Sequence, residues 1–337
     1  ATTEIYTLSL HDALPLSPLG KRATGEESDD ESLGGGQLHA EQSGLADYLA
    51  EDEMDALRLC REVVSHLNWR KAGPEPNYQA DEPVHNPEDL LGFIDRDLRQ
   101  PVDIRGVIAR VADGSRFEEF KPLYGPMMVC GWATIHGYPV GILGNNGVIY
   151  PEESEKAAHF IQLCNRQDTP LLFLQNITGF IVGSDFEKAG IIKKGSQLIN
   201  AISNSTVPHI TVIVGNSYGA GNYGMSGREY RNRFTFLWPT AKIAVMGPKQ
   251  IAGVMSIVRR ARAARKGEEF DEEADAEIVR QVEEIQEKGS LALVASGAIT
   301  DDSIIDPRDT RTVVGLCLSV VRARPVEGAQ HYGVFRL

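Results

Sequence analysis

Two glycine-bearing turns, Gln175-Asn-Ile-Thr-Gly-Phe180 and Tyr218-Gly-Ala-Gly-Asn-Tyr-Gly-Met225, each follow an apolar run of strand type, Pro170-Leu-Leu-Phe-Leu174 and His209-Ile-Thr-Val-Ile-Val214. Glycine lets the backbone approach a ligand closely, and amide N–H groups gathered at a strand-to-helix turn can meet developing negative charge. The pattern points to a site made of main chain rather than of side chains.

The stretch Gly219-Ala-Gly221-Asn-Tyr-Gly224 also satisfies G-x-G-x-x-G, which raises a dinucleotide-binding alternative. That reading needs a ribose-binding acid roughly 20 residues further on, and Tyr230 through Gly267 contains neither Asp nor Glu. The fingerprint also begins five residues after the apolar run instead of in a tight first turn. An NAD-dependent oxidoreductase is thereby disfavoured. Other catalytic patterns are missing from the sequence. The eight histidines have no metal-ligand spacing, so no metal is expected, and there is neither a G-x-S-x-G elbow nor a G-K-[ST] phosphate loop. His136 and His209 flank apolar strands and read as satisfied core or turn residues. Asp306 reads as a strand terminator paired with Arg308 or Arg311. Cys60, Cys130, Cys164 and Cys317 lack any C-x-x-C spacing and read as buried free thiols.

At 337 residues with 42% hydrophobic content, the chain has ample material for a core. A net charge of −13 argues against a nucleic-acid partner, because neutralising phosphates needs a basic field. No run approaches the roughly 18 apolar residues of a membrane helix, so no membrane partner and a cytoplasmic location are expected. Residues 1–16 need separate treatment: Ala1–Pro15 resembles the in-frame translation of a DNA-sequencing adapter, is set aside as not native, and suggests that the gene is cut upstream of about Leu16. Lys21–Gly36 is polar, acidic and glycine-rich and reads as loop with no core. Asp47–Leu67 carries Leu57, Cys60, Val64 and Leu67 at helical spacing. Four prolines between residues 71 and 88 mark a linker, followed by helical patterns at Glu88–Leu98 and Asp103–Val111.

Beyond residue 115 the chain takes on an α/β alternation. Strands are expected at Met127–Ile135, Val140–Leu143, Leu171–Leu174, Ile210–Val214, Phe234–Leu237 and Ile243–Val245. Helices are expected at Ser154–Asn165, Gly190–Ser203, Pro248–Ala264 and Glu272–Lys288. The adjoining basic Arg259–Lys266 and acidic Glu268–Asp275 runs suggest a solvated helix pair.

Gly141-Ile-Leu-Gly-Asn-Asn-Gly147, His159–Cys164, the two glycine turns and Ile305-Asp-Pro-Arg-Asp-Thr-Arg311 together resemble the carboxyltransferase β subunit of biotin-dependent acyl-CoA carboxylases, from about Lys21 to Leu337. Within that family, Gln175–Phe180 and the Ala220-Gly221-Asn222 turn are similar to the 3-methylcrotonoyl-CoA branch. Propionoyl-, acetyl- and geranoyl-CoA are the alternative substrates.

The resemblance implies a crotonase-like α/β fold of ββα units. It divides the chain into a remnant of a preceding similar domain at 17–70, a linker at 71–100 and a C-terminal domain at 101–337. It implies Ala220 and Gly221 N–H groups around the ureido oxygen of biotin, with Gly179, Phe180, Gly219 and Asn222 shaping that pocket. Asn145, Asn146 and Gly147 fall beside the segment for acyl-CoA. The chemistry implied is release of CO2 from carboxybiotin, proton removal from the thioester by biotin itself, and attack of the resulting dienolate, with no protein base. It further implies a ligase of the 6.4.1 class, a biotin carboxylase and biotin-carrier partner, and a homo-oligomer, expected to be a hexamer. In a eukaryote the location would be the mitochondrial matrix. A chain without most of the first domain is expected to be inactive alone.

Overall fold

The computed structural model describes residues 29–335, apart from Trp69, Pro74, Asn77, Tyr78, 95–101 and Arg231. The adapter-like stretch 1–16 lies outside the described residues, as does Lys21–Ser28. The chain forms two compact units, Ala1–Lys71 and Ala72–Leu337.

In the first unit, the glycine-rich end of the expected loop is helical. Asp29 caps Asp30–Gly34 by accepting the Ser32 amide at 2.7 Å, and the Asp29 amide donates back to Ser32 Oγ at 3.2 Å. This reciprocal cap satisfies donors that a glycine-rich stretch would otherwise leave to water. Gly36–Leu38 follows as a second short helix. Helix α1 (Glu53–His66) starts later than its apolar periodicity suggests, because Asp52 accepts the Asp55 amide at 2.8 Å and so fixes the N-terminus. No residue of α1 is buried, and Cys60 is an exposed thiol there, unlike the other three.

The second unit is built on an eight-stranded sheet ordered β1-β2-β3-β4-β5-β6-β8, with β7 paired to β5. The strands are β1 (Glu118–Phe120), β2 (Met128–Ile135), β3 (Tyr138–Asn145), β4 (Leu171–Ile177), β5 (His209–Tyr218), β6 (Phe234–Leu237), β7 (Lys242–Ala244) and β8 (Ser303–Ile304). β2 and β3 form a hairpin whose two turn residues, His136 and Gly137, have φ of 49° and 77°, the conformation that a tight hairpin twist requires. From β3 onward the pairing is parallel.

Helices cover both faces. α2 (Arg105–Val111) and the late α9 (Thr310–Val321) lie on one face, and α3 (Pro151–Arg166) and α4 (Ile191–Asn204) on the other. A strand buried on both sides reads as an unbroken apolar run, since neighbouring side chains point in opposite directions. In β4, Leu172 and Leu174 join the α2/α9 core, whereas Leu171 and Phe173 join the α3/α4 core.

The proline-rich stretch leads into a 3-10 turn, Pro87–Gly92, where the helix Glu88–Leu98 is expected, residues 95–98 of which lie outside the described residues; Leu90 of the turn and Ile94 after it lie in the α2/α9 core. α6 (Pro248–Lys266) and α7 (Glu272–Gly289) form the expected charge-matched pair, joined by Arg259–Asp275 at 2.7 Å and by Arg260–Glu272. The short α8 (Ala292–Gly297) follows them.

Candidate functional site

Strands β3, β4 and β5 run parallel, so their C-terminal ends emerge along one edge of the sheet. Asn145–Gly147, Gln175–Phe180 and Tyr218–Gly224 sit at these three ends, and the sequence-derived candidates therefore gather in one place. In open α/β sheets this edge is where ligands bind.

β5 runs without a break to Tyr218, and α5 (Gly219–Gly224) begins at the next residue. The expected five-residue gap after the strand does not exist. The polar Gly215, Asn216 and Ser217 continue the strand because a register shift opposite Gln175–Ile177 accommodates them. The turn is tight after all, and the dinucleotide reading is opposed by the acid-free stretch alone.

The two turns meet through their backbones. A Cβ added at Gly221 would lie 2.6 Å from Ile177 Cγ1, 3.0 Å from Gly179 Cα and 3.1 Å from Gly179 N, so only glycine fits. Gly179 has φ of +147°, a region L side chains rarely adopt, and the space beside its Cα is open. Gly219, at φ +49°, makes the strand-to-helix corner, and Ala220 is exposed. No side chain caps α5, so its leading N–H groups lack intrahelical partners. The Phe180 ring is wedged between helices: a Cβ at Gly224 would meet its Cζ at 2.9 Å, and one at Gly195 of α4 its Cε1 at 3.3 Å. Ile149 N donates to Gly179 O at 3.1 Å and Ile181 N to Ile149 O at 3.0 Å, which ties the β3 turn to the β4 turn.

Beneath the turns runs a buried polar chain. Asn222 Nδ2 donates to Ser217 Oγ at 2.7 Å, Ser217 Oγ donates to Gln175 Oε1 at 2.6 Å, and Gln175 Nε2 donates to Met225 O at 2.6 Å. Gln175 and Ser217 are fully buried. The chain fixes the C-terminal half of α5 onto β4 and β5. Next to it, Asn176 Oδ1 accepts the Asn216 amide at 3.0 Å.

Asn145 is also spent internally: it accepts the Asn176 amide at 3.0 Å and donates to Asn176 O and to Gly147 O. Asn146 accepts the Ile104 amide at 2.8 Å and donates to Asp103 at 3.0 Å. Both carboxamides hold strand ends in place. Gly147 packs close to Met127.

Ser217 is absent from the sequence-derived set, and Met225 enters it only as the last residue of the second turn. The available signal was polarity within an apolar run, since Gln175, Asn216 and Ser217 are hydrophilic residues in strands buried on both faces.

The remaining candidates are structural. His209 hydrogen-bonds Ser226 Oγ and Ser205 Oγ, each at 2.8 Å, and burial pushes its pKa down to about 4. His136 turns the β2–β3 hairpin, and its amide donates to Asp113 at 2.9 Å. Asp306 follows β8 and pairs with Arg308 at 2.8 Å, while Arg311 pairs instead with Asp113 at 2.7 Å. Burial raises the Cys130 thiol to about 12, which leaves it un-ionised. Among the described residues no helix is long and apolar enough to cross a membrane.

The family model described as carboxyl transferase domain matches residues 17–333. The chain belongs to that family. It is 59% identical over 321 residues to a probable biotin-dependent acyl-coenzyme A carboxylase beta2 subunit of Mycobacterium tuberculosis, covering 95% of this chain and 60% of that protein. It is 44% identical over 323 residues to the mitochondrial methylcrotonoyl-CoA carboxylase beta chain of Dictyostelium discoideum, covering 95% of this chain and 55% of the relative. The solved beta subunit of Pseudomonas aeruginosa geranyl-CoA carboxylase superposes with a TM-score of 0.75 at 42% identity, covering 92% of this chain and 59% of that one. The chain thus spans about 60% of the length of these relatives. The α/β architecture of the carboxyl transferase second unit is the crotonase-like fold of the family.

Proposed function

We propose that this chain is the carboxyltransferase component of a biotin-dependent acyl-CoA carboxylase, transferring a carboxyl group from biotin to 3-methylcrotonoyl-CoA. The observation that carries the reading is the contact of the Gly219–Gly224 corner with Gly179, which leaves uncapped amides beside open space.

The residues present fit biotin. Its ureido carbonyl needs N–H donors and no counter-charge, and Ala220 and Gly221 offer amides next to the open cradle at Gly179. When bound, biotin supplies the carboxyl group and accepts the proton removed from the thioester substrate.

The chain's own part is placement. The Ala220 and Gly221 amides hold the carbonyl oxygen and favour negative charge there, in a position fixed by the Asn222–Ser217–Gln175 chain. Phe180, held by the glycine faces of α4 and α5, walls the cradle, while Gly219 provides the corner. Amides do not titrate, so their donor strength is constant with pH. Near the acyl-CoA, the Asn145 and Asn146 carboxamides are already committed, so we assign the contact to the main chain around Gly147.

We assign the biotin to a partner carrier that also serves a biotin carboxylase, and we infer a homo-oligomeric assembly. The Dictyostelium relative is mitochondrial by name; in a bacterium the cytoplasm is the corresponding place.

The test is Ala220→Pro in a version of the chain extended to the full length of its relatives, assayed with a biotin-loaded carrier. Proline is tolerated in the first helical turn but removes one N–H. Loss of such a donor costs about 3 kcal/mol in the barrier, a fall in rate of roughly a hundredfold, with the melting temperature unchanged. A folded variant with the parental rate overturns the assignment.

Identity to a named methylcrotonoyl-CoA relative supports the substrate choice, and likeness to the geranyl-CoA enzyme supports its longer branched homologue as the second reading. In competition assays on the full-length version, 3-methylcrotonoyl-CoA is expected to have a higher kcat/KM than geranoyl-, propionoyl- or acetyl-CoA. A highest value for propionoyl-CoA refutes the branched-substrate reading.

A further inference from the structure

Two charged side chains of α3, Glu153 and Lys156, are buried outside the glycine cradle. Glu153 is 3% exposed, Lys156 is fully enclosed, and the two stand one helical turn apart. Both reach the same short stretch of main chain, the loop 125–127 between β1 and β2. Glu153 Oε1 accepts the Met127 amide at 3.2 Å, and Lys156 Nζ donates to Gly125 O at 3.3 Å. The loop lies flush on the first turn of α3: Gly125 has φ of +54°, and a Cβ there would come within 3.1 Å of the Glu152 carbonyl and of Glu153 N. Its other side is bound to the end of β3. Met127 O accepts the Asn146 amide at 2.8 Å, and a Cβ on Gly147 would lie 2.8 Å from Met127 Cε. One turn of main chain thus connects α3 to Gly147.

Stability alone does not account for Lys156. Its ammonium has no carboxylate within 4 Å among the described residues, and burial holds its pKa below the ordinary lysine value. Gly125 O also accepts the Met128 amide at 3.1 Å, so it would keep a donor without the lysine. Burying a charge is costly, and an apolar side chain of similar length would fill the space at less cost. What the charged head adds is a directional hold on a carbonyl. With Glu153 on an amide two residues along, the loop is gripped through both a donor and an acceptor.

We propose that Glu153 and Lys156 are positioning residues for the acyl-CoA side of the site: they fix the loop 125–127, and through it the main chain at Asn146 and Gly147 that meets the substrate. The substrate's part in this rests on the carboxyltransferase reading, whereas the hold on the loop does not. Binding groups work only where their support keeps them within a fraction of an ångström of the productive place.

The test uses Lys156→Met and Glu153→Leu, with Glu153→Gln, which keeps an acceptor in the same place, as the conservative variant. In the 337-residue chain, hydrogen exchange followed by mass spectrometry should show the peptides containing Met127 and Asn146 exchanging at least roughly fivefold faster in the first two variants and near the parental rate in the third. The melting temperature of Lys156→Met should not fall. In the full-length version, Lys156→Met should raise KM for acyl-CoA by at least roughly fivefold and leave kcat and the KM for the biotin-loaded carrier unchanged, and Glu153→Gln should restore what Glu153→Leu loses.

Parental exchange at both peptides in Lys156→Met and Glu153→Leu overturns the proposal, as does faster exchange with an unchanged KM for acyl-CoA. Faster exchange spread over the whole chain, with a lower melting temperature, shows a merely structural role and overturns it equally. Should Glu153→Leu not fold, Lys156→Met carries the decision. If the full-length parent carboxylates no acyl-CoA, the carboxyltransferase reading falls and the substrate's part with it, while the exchange contrast still decides whether the pair holds the loop.

Discussion

Gly221 has no room for a methyl group, because Ile177 Cγ1 and the Gly179 backbone occupy the space a Cβ would need. Neither neighbour is the loose end of a long side chain, so Gly221→Ala must push α5 off β4. We expect a loss of about 1–3 kcal/mol in urea unfolding, the usual range for overpacking. A loss under about 0.5 kcal/mol, the range of neutral surface changes, would mean that the two turns do not bear on each other. The glycines were legible in the sequence because a turn after a buried strand needs them. What could not be read was that Gly179 and Gly221, over forty residues apart, touch. That fact depends on β4 and β5 being neighbours, which is a property of sheet order. The same holds for Asn145, whose place beside an expected ligand segment is plain in sequence, but whose carboxamide turns out to clamp Asn176.

Periodicity located most elements and misjudged their ends, for physical reasons specific to each. β5 extends past Val214 because Asn216 and Ser217 find hydrogen-bond partners, which hydropathy does not report. β1 and β8 are too short to show a pattern, and α9 carries the apolar Leu316 and Val320 on its exposed side, so it lacks the polar face that marks an amphipathic helix.

One junction between elements makes a sharp test. Asp113, 1% exposed, accepts the His136 and Gly137 amides of the β2–β3 turn and pairs with Arg311 of α9. Burial alone would raise its pKa, but the Gly137 amide and the Arg311 guanidinium outweigh it and hold the carboxyl below its ordinary value. The ionised form is therefore favoured in the native state, and its contribution is fully present above the unfolded value near pH 4. It is lost as pH falls through the lower native value. Asp113→Asn leaves the buried Arg311 with only the exposed Glu82, at 3.6 Å, as counter-charge and should cost about 3 kcal/mol near neutral pH. The gap between variant and parent should close on acidification below about pH 4. A constant gap from neutral to strongly acid pH would show that the carboxylate's charge is not what stabilises this junction.

On the scale of the molecule, the second unit leaves an apolar face that its own core does not use. Val254, Ile257 and Val258 of α6 are 46%, 67% and 60% exposed, and Leu293 of α8 is 78% exposed. The α6 residues fall at helical spacing on one side, away from the basic run that ends the helix. Scattered exposed apolar residues are ordinary, but several on one helix face mark a surface that another protein covers. The homo-oligomer proposed above supplies that cover with a second copy of the chain, and closed symmetric assemblies are the common outcome of such self-association. Light scattering at micromolar concentration should therefore give a mass above that of one chain. Ile257→Glu with Val258→Glu should shift it toward the single chain, because burying unpaired like charges on both sides of an interface is costly. These side chains already face water, so thermal unfolding of the single chain should be little changed. A parent of one-chain mass, or an oligomer that tolerates both glutamates, would show that α6 is not where copies meet.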